Sequence, residues 1–316
     1  MTRVVFFGTP RPAADCLRAL VGAGHDIAAV YTRPDRVAGR SREPQPTPVK
    51  EAGLELGHLV RTPASLRGDD VRDDLAALDA AMFVVLAYGR ILPPGLLDLP
   101  PRGVLNVHPS LLPLYRGPSP VVSAIRDGER ETGVSVMLLD EGMDTGPVIA
   151  RSAPVPITET DTAGALTDRL FAIGVELMIE TIPAWEEGTL TAEPQDDEAA
   201  TVTRLVEKAD GEMNFDEAAT ALSRAVRAYD PWPGTFTRWT GKILKVLEAS
   251  IISSGPDTPG APGSPGTVTV DDSRILIATG SGVLEVKRLQ LEGKAAVTAA
   301  EFLRGYPAIE GAHLPS

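Results

Sequence analysis

Residues 103–113 read GVLNVHPSLLP, and the reading of this stretch decides how the rest of the chain is laid out. Val104, Leu105 and Val107 form an apolar run that ends on His108, and a Pro-Ser turn and a second apolar step, Leu111–Leu112, follow at once. Side chains alternate between faces along a strand, so Asn106 and His108 project together beyond its end. A hydrogen-bond donor beside a titratable base suits acyl transfer, because one group can hold a developing oxyanion while the other manages a proton. Taken alone, a strand-end histidine is more often a bonded structural residue. The sequence on either side decides between the two.

Upstream, residues 3–8 (RVVFFG), 26–32 (DIAAVYT) and 81–88 (AMFVVLAY) are short apolar runs of strand length. Helical patterns lie between them, the first through Ala14–Leu20 and closed by Gly22 and Gly24, another beginning near Val49. Strands alternating with helices imply an α/β domain with a doubly wound, mostly parallel sheet of the Rossmann-like kind, and ligands of such sheets bind beyond the carboxyl ends of the strands. His108 sits at such an end. Downstream, 132–150 reads as a strand, a glycine-rich turn and a second short strand, and a helix from about Thr162 to Trp185 completes the domain. Residues 188–200 are polar and acidic, which suits a connecting segment. After a helix carrying Ala218, Leu222, Ala225 and Val226, the runs TFTRW, KILKVLEA, GTVTV, RILIATG and VLEVKRLQL predict a smaller β-barrel of OB type. The expected division is therefore 1–188, a link over 189–208, and 209–316. The Pro/Gly tract at 255–266 is expected to be a surface insertion.

Composition narrows the function. The net charge of −13 argues against indiscriminate binding of nucleic acid. From residue 209 onward, however, the chain carries 10 basic and 13 acidic groups, against 20 and 30 before it, so the second part is the better place for a polyanion partner. Cys16 is the single cysteine, which excludes an intramolecular disulfide and a thiolate metal cluster, and there is no HxxxH or HExxH spacing to hold a metal. The N-terminal MTRVVFFG lacks signal-peptide architecture and no apolar run reaches membrane-spanning length, so a cytoplasmic protein with no membrane partner is expected. The turn GTPRPA after the first strand is not a GxGxxG dinucleotide fingerprint, and a GxxxxGK[ST] phosphate loop is absent.

A third chemistry-bearing residue lies in DEGMDTG, 140–146. Asp144, between Gly142 and Gly146, is the residue whose backbone can bend toward another strand, where its carboxylate would orient His108 and favour the protonated imidazole. Asp140 competes for that role as an ordinary turn former.

These residues carry a family resemblance. NVHPSLLP at 106–113 with DEGMDTG at 140–146 resembles the folate-dependent formyltransferases, and TRPDRVAGR at 32–40, VVLAYGRILP at 84–93 and RAYDPWPG at 227–234 narrow it to the methionyl-tRNA formyltransferase family, nearly end to end. The resemblance implies a formyltransferase fold with an OB-like C-terminal domain. It implies transfer of formyl from 10-formyltetrahydrofolate to the amino group of initiator methionyl-tRNA, in the cytoplasm and by a monomer, with no metal. By the same resemblance Asn106, His108 and Asp144 are catalytic, and Ser110, Leu111, Leu112 and Pro113 meet the folate. It further assigns the loop 33–48 to the tRNA acceptor stem, through Arg36, Arg40 and Arg42. That loop departs from the basic stretch of relatives, reading GRSREPQ with Glu43 diluting its charge. In the second domain Lys245 and Arg288 belong to a candidate basic face, beside Arg238, Lys242, Lys287 and Lys294. Two readings of the same chemistry stand beside this one, a sugar-nucleotide N-formyltransferase and a formyltetrahydrofolate hydrolase, neither of which gives a reason for the PWPG segment. A non-catalytic tRNA- or folate-binding protein is the third.

Overall fold

Burial of alternating apolar runs builds the first unit outward from one strand. In the computed structural model, which describes residues 2–37, 43–252 and 263–316, β1 (Arg3–Gly8) runs up the middle of a seven-stranded sheet, with Val4 to Phe7 wholly buried. Each such side chain contributes about 1.5–3 kcal/mol on leaving water. Strands β2 (Asp26–Tyr31) and β3 (Val60–Arg61) lie parallel on one side of β1, and β4 (Met82–Leu86) and β5 (Val104–His108) lie parallel on the other. Two further strands, β6 (Ser135–Leu138) and β7 (Val148–Arg151), extend the sheet beyond β5 in antiparallel fashion. The direction of pairing thus reverses at β5, the strand that carries Asn106 and His108.

Helices close both faces. α1 (Arg11–Gly22) buries Ala13, Cys16, Leu17 and Leu20 at helical spacing. Burial pushes the Cys16 thiol up to about 12, which leaves it protonated and unreactive. α2 (Pro48–Glu55) starts on Thr47, whose hydroxyl accepts from Lys50 N–H at 3.0 Å, with Pro48 at the first helical position. α3 (Asp69–Ala77) covers the face that presents Phe7, Tyr31, Phe83, Val85 and Val104. The opposite face meets the long helix Ala163–Glu186 so closely that a Cβ on Gly174 would lie 2.5 Å from Val107. Val107 therefore points to that helix, and its neighbours Asn106 and His108 point away from it, to the α3 side. Within the loop 33–48 the structure finds a short antiparallel pair, Arg36–Val37 with Pro44–Gln45.

The chain divides into two compact units that are not contiguous in sequence. The first comprises 1–120, 131–156 and 167–203, and the second 121–130, 157–166 and 204–316. The second unit is an antiparallel β domain: β8 (Thr235–Trp239), β9 (Lys242–Ile252), β10 (Val268–Asp271), β11 (Arg274–Ala278) and β12 (Val283–Leu291) stand in the order β8-β9-β12-β11-β10. Leu244, Val246, Ile275, Ile277, Leu284, Val286 and Leu289 form its core with Trp239 and Phe302. The Pro/Gly tract at 255–266 lies partly outside the described residues, over 255–262.

Candidate active site

The turn after β5 is fixed by its own hydrogen bonds. Ser135, paired with His108 across the β5–β6 ladder, accepts Leu112 N–H at 3.0 Å and donates to the Ser110 carbonyl at 2.8 Å. The Ser110 hydroxyl donates to the Leu114 carbonyl at 2.6 Å, and Arg151 Nε donates to the Leu112 carbonyl at 3.1 Å. Ser110 and Leu112 are therefore turned inward and committed, Leu112 packing on Met137 and Val148. Leu111 and Pro113 remain half-exposed, and Leu114 is exposed.

His108 is buried, at 4% exposure. Its Nε2 lies 2.9 Å from the Tyr115 carbonyl, and a carbonyl only accepts, so Nε2 carries the hydrogen. Nδ1 then faces Asp144, with Oδ2 at 3.6 Å. Burial holds the His108 pKa below the usual histidine value, against the opposing pull of the Asp144 carboxylate and the Tyr115 carbonyl. The imidazole is thus neutral near pH 7, with a lone pair directed at the carboxylate side of the site. Asn106 is half-buried on the same face of β5, and its carboxamide makes no hydrogen bond among the described residues.

Geometry separates the two acids of DEGMDTG. Asp140 spends its carboxylate on the turn itself, accepting from Gly142 N–H at 3.1 Å and from the Thr145 hydroxyl at 2.8 Å. Asp144 has φ = 55°, a left-handed conformation, and its side chain leaves the turn to accept Gly117 N–H at 2.9 Å and to meet His108. A left-handed aspartate is costly unless its surroundings hold it. Here the Asp144 and Gly146 carbonyls both accept from Gln195 Nε2, at 2.8 and 2.6 Å. Gln195 Oε1 in turn accepts from Arg116 Nε at 2.9 Å, and the buried Arg116 is paired with Asp197 at 2.8 Å.

The segment 193–203 therefore clamps both loops of the site. Arg116 N–H donates to the Thr201 carbonyl at 2.9 Å, Thr203 N–H donates back to the Arg116 carbonyl at 2.7 Å, and the Thr201 hydroxyl accepts Tyr115 N–H at 2.7 Å. At Gly117 (φ = 103°) a Cβ would stand 2.8 Å from the Thr203 carbonyl, so only glycine fits there. Tyr115, Gly117 and Gln195 are the site residues that sequence reasoning missed. Gln195 lies in the acidic stretch AEPQDDE, whose composition carries no signal of such a role.

Of the residues expected to meet tRNA, Arg36 is exposed at the edge of the short hairpin, and Arg40 and Arg42 lie outside the described residues. Lys245 and Arg288 are both exposed and share the outer face of the second unit's sheet, Lys245 opposite Gln290 and Arg288 opposite Glu248. Among the described residues no group of three or more His, Cys, Asp or Glu is placed to hold a metal, and no helix is long and apolar enough to cross a membrane.

Comparison with known proteins shows the family. Residues 2–182 match the formyl transferase family and residues 205–307 match the formyl transferase C-terminal domain. A methionyl-tRNA formyltransferase of Ruegeria pomeroyi is 44% identical over 312 residues, covering 99% of this chain and 100% of the relative. One of Chloroflexus aurantiacus is 43% identical over 304 residues, covering 96% of each. Among solved structures, the N-formyltransferase from Helicobacter canadensis in complex with folinic acid and dTDP-3-aminofucose shares the fold, with a TM-score of 0.69 at 18% identity over 90% of this chain and 98% of that one. The chain belongs to the methionyl-tRNA formyltransferase family.

Proposed function

We propose that formyl passes directly from 10-formyltetrahydrofolate to the amino group of initiator methionyl-tRNA beside Asn106, His108 and Asp144. The observation that carries this reading is the buried His108, bonded through Nε2 to Tyr115 with Nδ1 turned to Asp144. The neutral amine attacks the formyl carbon, and the carbonyl oxygen becomes an oxyanion that the unpaired Asn106 carboxamide receives. The attacking nitrogen gives its proton to His108 Nδ1. Asp144 stabilises the imidazolium, which returns the proton to N10 of the folate as the carbon–nitrogen bond breaks. No covalent intermediate on the enzyme is required. In this reading Leu111 and Pro113 offer apolar contact to the pteridine, while Ser110 and Leu112 hold the turn in shape. In this reading residues 1–188 are the catalytic part, 189–208 the connecting part, which over 193–203 also clamps the site loops, and 209–316 the tRNA-binding part.

The outer sheet face of the second unit is assigned to the tRNA backbone through Lys245 and Arg288. In an assay of methionyl-tRNA formylation, Lys245→Glu combined with Arg288→Glu is expected to raise the KM for tRNA and to reduce the salt dependence of binding by about two in slope. The KM for the formyl donor should not move. An unchanged tRNA KM and salt slope would remove this face from the binding surface, and absence of formylmethionyl-tRNA with the unaltered protein would remove the functional reading itself.

A further inference from the structure

Two tyrosines of one core cluster are treated differently. Tyr31 and Tyr88 both pack on Phe7, with ring centroids 5.0 and 5.5 Å away. The Tyr31 hydroxyl donates to Asp74 at 2.7 Å. The Tyr88 hydroxyl is buried and finds no acceptor. Its neighbours are the guanidinium groups of Arg33 and Arg90, which can only donate. Arg33 is half-buried, with Nε fully enclosed and unbonded, and the charged groups acting on it besides Tyr88 are Arg36 and Arg90. The carboxylate nearest in sequence, Asp35, gives Oδ2 to Lys50 at 2.7 Å, keeps Oδ1 buried and unbonded, and is not among the charges acting on Arg33. Arg90 donates to the Pro63 carbonyl at 2.9 Å and turns its guanidinium to the oxygen of Tyr88. In a chain with net charge −13, two guanidinium groups thus meet at one neutral hydroxyl with no carboxylate among the described charges acting on Arg33, an arrangement that lacks an anion.

Its place in the fold says which end of the molecule that anion serves. Arg33 follows β2, Gly8–Thr9 follow β1 and Tyr88–Arg90 follow β4, so the cluster lies along the carboxyl edge at the point where the order of strands turns back on either side of β1. The Thr9 hydroxyl ties that edge together, donating to the Tyr88 carbonyl at 2.8 Å. His108 ends β5, the strand next to β4, on the same side of the sheet. Strand spacing puts the cluster on the order of 10 Å from the reacting centre. An ester-linked amine stands about as far from the phosphate of its own terminal nucleotide.

We infer that Arg33, Tyr88 and Arg90 form an oxyanion site that takes a phosphate of the acceptor end of the RNA substrate. Continuity with Arg36, which opens the loop read as an RNA contact, favours the RNA over a carboxylate of the folate. This assignment rests on the reading of methionyl-tRNA as substrate. The site itself can be tested without turnover, by broadening of the phosphorus-31 resonance of inorganic phosphate. Broadening by the unaltered protein should be lost in Arg33→Gln and weakened in Tyr88→Phe, a change that keeps the ring and its packing. Phosphate that behaves alike with all three proteins would overturn the site, whether or not the protein formylates RNA. In steady state, Arg33→Gln should raise the KM for methionyl-tRNA about tenfold, with the donor KM unchanged. A rise in the donor KM instead would give the site to the folate and overturn the assignment to RNA, as would no change in either.

Discussion

Asn106→Ala and His108→Ala are each expected to lower kcat for formyl transfer by about 10²–10³-fold or more while the fold persists, the range found on removing one oxyanion donor or one general acid–base. The reasons differ. The Asn106 side chain is half-buried and unbonded, so its loss leaves the packing of β5 intact and removes only a donor. His108 is buried and bonded to the Tyr115 carbonyl, so His108→Ala also strands that carbonyl and some stability is lost. His108→Gln, whose amide nitrogen reaches the position of Nε2 and so keeps a donor toward the Tyr115 carbonyl, separates the two effects. It should recover thermal stability but not turnover. The check is kcat beside Tm for all three proteins, and near-normal turnover in either alanine variant would remove that residue from the mechanism.

The second large effect concerns Asp144. Burial depresses the His108 pKa and the carboxylate of Asp144 opposes that depression. Removing the charge in Asp144→Asn therefore leaves burial unopposed, and the His108 titration moves to still lower pH. The sign is fixed by charge: a carboxylate stabilises the imidazolium, so its loss disfavours protonation. Because the same imidazolium forms during proton transfer, kcat is expected to fall by two or more orders of magnitude, on the scale of general acid–base catalysis. Following the His108 ring protons by NMR against pH in both proteins checks the direction. An unchanged or higher titration point in Asp144→Asn would show that the two groups do not interact as their 3.6 Å separation implies.

Much of this site was legible in the sequence because its parts are local. Alternation along VLNVH puts Asn106 and His108 on one face without knowledge of the rest of the sheet, and the observed strand ends on His108 as that pattern requires. The strand–turn–strand reading of 132–150 corresponds to β6 and β7. Between Asp140 and Asp144 the sequence offered only a preference, and the structure supplies the physical distinction: one carboxylate is consumed by its own turn, while the other leaves it through a left-handed backbone. That conformation could not be read locally, because what sustains it is Gln195, 51 residues away in sequence. The same holds for Tyr115 and Gly117, which act through a main-chain carbonyl and a main-chain N–H that residue type does not display. Polar composition made 189–208 look solvated, and nothing in it distinguishes an exposed glutamine from one that spans two loops. His25 and His58, in loop-like stretches of the sequence, are half-buried, each with an unbonded ring nitrogen.

Single-turnover transfer from formyl-labelled 10-formyltetrahydrofolate tests one-step chemistry at the Asn106–His108–Asp144 site most directly, with charged initiator tRNA, charged elongator tRNA and an amino sugar nucleotide offered as acceptors. The expected result is label on initiator methionyl-tRNA in a single phase, none on the amino sugar, and none on the protein when acceptor is withheld. Label that accumulates on the protein and then passes to tRNA, or that prefers the amino sugar, would contradict the account.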